Sequence, residues 1–275
     1  MTRFNLRNAL LAASALALFV APSSLTAQEP GNVPETKAPP PAAPQTAPCP
    51  PAAEPLPAWQ KAREEQIKND WPWLGKFKDA DAALAPPAPD ENRVVFMGDS
   101  ITEGWHFTGP QGSFVNKPYI NRGISGQTSP QMVLRFRQDV IDLKPKAVVI
   151  LAGTNDIAGN TGPMTLEQSE DNLASMADLA TANHIKVVLC SVLPAFDFPW
   201  KPGQAPAPKV LALNAWIKAY AAEKGYVYVD YHSAMKDDRD GLPPTLSGDG
   251  VHPLPAGYAV MTPLVEAGIA RALAR

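Results

Sequence analysis

Cysteine is nearly absent: 275 residues carry two, Cys49 and Cys190. Cys49 lies among prolines and Cys190 in an apolar run, so no bridge between them is expected and a disulfide-stapled scaffold is excluded. Charge of one sign is also scarce. A net of −3 leaves no basic field to draw in nucleic acid. No H-E-x-x-H, no cysteine pair and no histidines at metal-ligand spacing occur, so neither a metal nor another cofactor is expected. Asp237, Asp238 and Asp240 form an acidic run that reads as a solvated loop rather than a calcium site. No serine stands in a G-x-S-x-G elbow. No apolar run is long enough to span a bilayer, so integral membrane contact is not expected.

What the chain does have begins with an export pattern. Arg3 and Arg7 precede an apolar run, Ala9 to Val20, and small residues lead to Ala27. Residues 1–27 therefore read as a cleaved signal peptide, and the chain as exported to the periplasm or beyond. Residues 28–57 hold much of the proline and alanine and almost no large apolar side chain. Such a stretch cannot offset its ordering entropy by burial and reads as an extended linker. Residues 58–275 form the remaining domain, opening with a helical extension over 58–90 that is broken near Pro72. Core packing is the expected use of Trp59, Trp71, Trp73 and Leu74 there.

From Arg93 onward a regular alternation sets in. Apolar, β-branched runs at Arg93–Met97, Tyr119–Asn121, Ala147–Leu151, Lys186–Leu193 and Tyr226–Asp230 read as strands. Between and after them, Pro130–Leu143, Thr165–Asn183, Pro208–Lys224 and Pro255–Ala274 read as helices. Uninterrupted apolar strands alternating with amphipathic helices predict a parallel sheet of about five strands covered on both faces. The fold class is α/β.

In open α/β sheets, ligands bind beyond the carboxyl ends of the strands. Gly98-Asp99-Ser100 follows the first strand, Gly123-Ile124-Ser125-Gly126 the second, and Gly153-Thr154-Asn155-Asp156 the third. Asp249-Gly250-Val251-His252 precedes the last helix. A serine hydroxyl needs a base to take its proton, and a neutral imidazole suits that task near neutral pH. The imidazole needs an acceptor for its other N–H. Asp249, three residues before His252, can supply it within a turn. Ser100 N–H, Gly126 N–H and the Asn155 amide can supply donors to a tetrahedral oxyanion. Ser100 as nucleophile, His252 as general base and Asp249 as its orienting partner are the expected catalytic set.

These blocks resemble the SGNH (GDSL-type) lipases and acylhydrolases. GDSITEGW at Gly98–Trp105, RGISGQTS at Arg122–Ser129, LAGTNDIAG at Leu151–Gly159 and GDGVHP at Gly248–Pro253 stand in the family's order and spacing. The resemblance runs from about Arg93 to the C-terminus and is nearest to the platelet-activating-factor acetylhydrolase-like branch. It implies a flavodoxin-like three-layer α/β/α sandwich and hydrolysis of carboxylic esters through an acyl-serine intermediate. Small-molecule or glycan esters are the implied substrates, with acetyl or other short acyl groups. Lysophospholipase or thioesterase chemistry on the same triad, or a non-catalytic carbohydrate-binding module on the same fold, are the alternatives.

Blander roles stand beside these. Ser100 could be only a helix N-cap, Gly126 and Gly153 only turn glycines, and Asn155 only a turn residue. Asp99 and Asp156 read as structural, as does His232, while His184 fits a helix C-terminus. Trp105 and His106 are candidates to line the substrate pocket. Trp200, in the long aromatic segment Ala195–Pro208, is a third.

Overall fold

The computed structural model describes residues 57–107 and 112–275. The expected signal peptide, nearly all of the expected linker, Cys49 and the side chain of Trp59 lie outside the described residues. The chain enters through α1 (Ala58–Asn69) and α2 (Lys78–Ala83), separated at Pro72 by a turn in which the Asp70 carboxylate accepts from Leu74 N and Gly75 N. Next come β1 (Val94–Gly98), α3 (Ser100–Glu103), β2 (Tyr119–Gly123) and α4 (Ser129–Asp139). The middle of the chain forms β3 (Ala147–Leu151), α5 (Thr154–Ala158), α6 (Leu166–Ala182), β4 (Lys186–Cys190) and α7 (Ala207–Lys224). It ends with β5 (Val227–Val229), α8 (Tyr231–Met235) and α9 (Pro255–Leu273).

All five strands run parallel in the order β2-β1-β3-β4-β5. That is the flavodoxin-like order, and the expected three-layer α/β/α sandwich is what forms. Successive side chains of a strand face opposite ways, so a strand buried on both sides must be apolar throughout. Val95, Met97, Val148, Ile150, Val187 and Leu189 pack beneath α4, α6 and α7. Their alternates Val94, Phe96, Val149, Leu151, Val188 and Cys190 pack beneath α8 and α9. Cys190 is a buried free thiol. Two long helices start with capping boxes, Thr128 with Gln131 and Thr165 with Gln168, which satisfy amide groups that a helix start leaves orphaned.

The chain departs from the sequence reading at β4, expected to reach Leu193. The ladder stops at Cys190 because β5 offers only Val227–Val229 as partner. Beyond it the buried backbone is satisfied by a side chain instead: the Asn214 amide accepts from Val192 N at 2.7 Å and donates to Val192 O at 2.9 Å. No helix among the described residues is long and apolar enough to cross a membrane.

Candidate active site

The order of the strands reverses at β1, which β2 flanks on one side and β3 on the other. Crevices at such switch points, outside the carboxyl ends, are where ligands bind in this class of sheet. Ser100 opens α3 immediately after β1. The N-cap of α3 is Asp99, whose Oδ1 accepts from Ile101 N at 2.9 Å. Capping therefore leaves the Ser100 hydroxyl free, and its oxygen lies 2.8 Å from His252 Nε2.

His252 is delivered by a tight turn before α9. Asp249 Oδ1 accepts from Val251 N at 2.9 Å and His252 N at 2.8 Å, while Oδ2 lies 2.6 Å from His252 Nδ1. Ser247 Oγ accepts from Gly250 N at 2.9 Å and lies 2.8 Å from the His252 carbonyl oxygen, closing the turn from behind. Burial works against the Asp249 charge, but the His252 ring N–H and two backbone N–H groups outweigh it and hold the carboxyl down at about 2. An ionised carboxylate accepts only, so Nδ1 carries the proton and donates to it. Nε2 is then bare and faces the Ser100 hydroxyl, which donates to it.

The neighbouring loops bring donors to the same place. Gly126 adopts φ +74°, a conformation that glycine enters without strain. Ser100 N–H and Gly126 N–H have no protein acceptor among the described residues. Asn155 is buried, and its Nδ2 donates to Gln127 O at 3.0 Å, with Asp99 Oδ2 further off at 3.3 Å. At rest this amide ties the Gly126 loop to the end of β3. Gly153, ahead of it, is a turn glycine at φ +127°, where a β-carbon would come within 2.7 Å of Leu213 and 2.8 Å of Val192.

Other expected contributors divide. Trp200 reaches the site: its ring centroid is 6.0 Å from that of His252, and it stacks on Phe198 at 5.2 Å. Its Nε1 donates to Asn160 Oδ1 at 3.1 Å. Beside it, a cavity of about 360 Å³ runs between Phe196, Phe198, Leu242 and the Asp249 turn. Trp105 does not line the pocket. Only 2% exposed, it packs among Phe96, Phe107, Phe114 and Tyr258 and donates to Ser113, because burying so large an apolar ring in the core outweighs presenting it to a ligand. His106 is exposed and makes no side-chain hydrogen bond with the described residues. His232 is buried, and Asp156 accepts from Ser129 N and the Ser129 and Ser169 hydroxyls. Asp237 caps Arg239 N and Gly241 N, and Asp240 pairs with Lys236.

Two supports carry no signal in the sequence. Ser247 organises the histidine turn. Arg135, fully buried on α4, donates to Gln127 Oε1 at 2.6 Å, Asp139 Oδ2 at 2.8 Å and the Gly98 carbonyl at 3.1 Å. It thereby binds the loop bearing Gly126 to the end of β1.

Asp99 is fully buried, and that burial pushes its carboxyl up to about 7 against the Ile101 N–H that favours ionisation. The folded state then holds a proton that the unfolded chain has already released above the ordinary carboxylate range. This group therefore subtracts stability as pH rises through that range toward 7. Asp99→Asn is expected to remove the effect. From pH 5 to pH 8 the wild-type Tm should fall relative to that of the variant, and parallel curves would show that Asp99 carries no such proton.

Residues 96–260 match the GDSL-like Lipase/Acylhydrolase family. Among solved structures, a GDSL-like lipase from Bacteroides thetaiotaomicron superimposes with a TM-score of 0.71 at 48% identity, covering 74% of this chain and 100% of that one. The lipoprotein YqeF of Bacillus subtilis is 32% identical over 123 residues, 38% of this chain and 49% of that protein. An acetylxylan esterase of Xylanibacter ruminicola is 25% identical over 246 residues, 77% of this chain and 48% of that protein. The chain thus spans about half the length of these two curated relatives.

Proposed function

The chain belongs to the GDSL-like lipase/acylhydrolase family, and on that premise we propose that it is an exported serine esterase removing acetyl or other short acyl groups from small or carbohydrate alcohols. The observation that carries this reading is the continuous line from the Ser100 hydroxyl through the His252 imidazole to the Asp249 carboxylate, at 2.8 and 2.6 Å. The Arg3–Ala27 pattern supports export.

In the proposed reaction Ser100 Oγ attacks the ester carbonyl carbon while its proton passes to His252 Nε2. Asp249 steadies the imidazolium so formed. Charge gathers on the former carbonyl oxygen, toward which the unpaired Ser100 and Gly126 N–H groups are available. The Asn155 hydrogen now directed at Asp99 over a long 3.3 Å is a third donor that an oxyanion would draw away. His252 then returns its proton to the departing alcohol oxygen as the carbon–oxygen bond breaks. Water repeats both steps on the acyl-Ser100 ester, releasing the acid and restoring the hydroxyl.

The exposed Trp200 indole beside the His252 ring supports a carbohydrate leaving group, since aromatic side chains offer rigid apolar area to sugar rings. The acetylxylan esterase likeness points the same way. The test is an acyl series of p-nitrophenyl esters, acetyl through butyryl to octanoyl, run beside acetylated xylo-oligosaccharides. kcat/KM is expected to fall by about tenfold or more from acetyl to octanoyl, with acetate released from the sugars. A rise along the series, with the sugars untouched, would replace this reading with a lipid esterase.

A further inference from the structure

The helical extension ahead of β1 is fastened onto the loops that form the site. Gln127, next to Gly126, donates through Nε2 to Pro72 O at 2.7 Å. Gln131 and Gln138 of α4 donate to Trp71 O and Leu74 O, each at 2.6 Å. Arg122 of β2 pairs with Asp81 of α2. Trp73 sits in this fastened turn with φ +58°, outside the usual range for an aromatic residue. Its indole carries two cations. Lys76 Nζ lies 4.8 Å and the Arg63 guanidinium carbon 5.3 Å from the ring centroid.

The two cations differ in what they face. Lys76 is paired with Glu103 Oε1 at 3.2 Å, and the other Glu103 oxygen accepts from Ser125 N at 2.8 Å and from the Ser125 hydroxyl. Glu103 is therefore spoken for. Arg63, half-buried on α1, forms no ion pair or side-chain hydrogen bond among the described residues. It leans over the Gly126 loop so closely that a β-carbon on residue 126 would come within 3.0 Å of its Nη2. Burial draws Arg63 below the usual arginine range even with Glu103 nearby, as expected of a cation short of partners.

We propose that Arg63 is a specificity-determining residue that receives a carboxylate carried by the alcohol portion of the substrate, making acetylated acidic sugars the preferred esters. The inference rests on the esterase reading above. An acetyl group carries no ionisable group, so apart from the transient oxyanion a standing negative charge beside Gly126 belongs to the alcohol. A guanidinium offers the planar two-donor fork that a carboxylate matches. One unpaired arginine, with Lys76 already neutralised by Glu103, balances a single negative charge and not the two of a phosphate.

The experiment compares kcat/KM for acetylated glucuronic acid, acetylated glucose and an acetylated sugar phosphate in wild type, Arg63→Gln and Arg63→Lys. The wild type is expected to favour the glucuronate over the glucose ester by about tenfold, chiefly through KM, with the preference shrinking at high salt. Arg63→Gln should bring that ratio near one, and Arg63→Lys should keep part of it. A ratio unchanged in Arg63→Gln, with both rates falling together, would mark Arg63 as a packing residue and overturn the proposal. Preference for the phosphate would overturn the carboxylate assignment. Absence of turnover with every ester in the wild type would overturn the esterase reading itself and this inference with it.

Discussion

Ser100→Ala is expected to lower kcat on p-nitrophenyl acetate by about ten-thousand-fold or more, while Tm moves little. The two halves of that expectation rest on different contacts. The hydroxyl bonds to His252 alone, and without it the imidazole has no proton to accept and the ester no nucleophile. The structural duty that a serine at a strand-to-helix turn often performs belongs here to Asp99, which caps α3 through Ile101 N. Loss of the hydroxyl therefore leaves the cap intact. Residual rate over water would come from the donors at Ser100 N and Gly126 N, which alanine at position 100 retains. The same variant separates an esterase from a glycan-binding module on this fold: a binder would hold its sugar equally well with either residue and show no ester turnover to lose. Equal rates for the two proteins would remove Ser100 from the mechanism.

How far this site can be read from the chain depends on whether each part acts locally or across the fold. Ser100, Asn155 and His252 lie in short blocks directly after strands or before a helix, and a parallel sheet forces such positions onto one edge. The Asp249–His252 relation is legible for a similar reason, since a carboxylate three residues from an imidazole reaches it within a turn. Arg135, Ser247 and Arg63 act differently. Arg135 reaches the Gly98 carbonyl 37 residues away and Arg63 leans on the Gly126 loop from another element, while Ser247 acts within its own turn but as a serine that no local pattern distinguishes. Trp105 failed as a pocket residue because an aromatic after a catalytic block has the same local pattern whether it faces solvent or the cluster around Phe96. Only the packing of β1 and Phe114 decides. The two short helices α5 and α8 escaped because five residues are too few to show a helical period.

Asp249→Asn is the sharper probe of the base, and the geometry dictates which way the new amide must face. The position of Oδ1 is held by two backbone N–H groups, Val251 at 2.9 Å and His252 at 2.8 Å, and only an acceptor can occupy it. Asparagine therefore keeps its carbonyl oxygen there and turns its NH2 toward His252 Nδ1. That nitrogen can no longer donate and must accept, so the imidazole proton moves to Nε2, the atom that has to be bare to take the Ser100 proton. kcat is expected to drop by about ten-thousand-fold near neutral pH although every backbone bond of the turn survives and Tm stays close to that of the wild type. Because the native carboxyl is held at about 2, it is ionised throughout the neutral range, and its own titration contributes nothing to the wild-type pH profile there. Asp249→Ala differs in kind: it empties both oxygen positions, leaves Val251 N and His252 N unpaired and should lower Tm as well as kcat. Activity of Asp249→Asn within tenfold of wild type would show that the orientation of His252 is maintained by something other than this carboxylate.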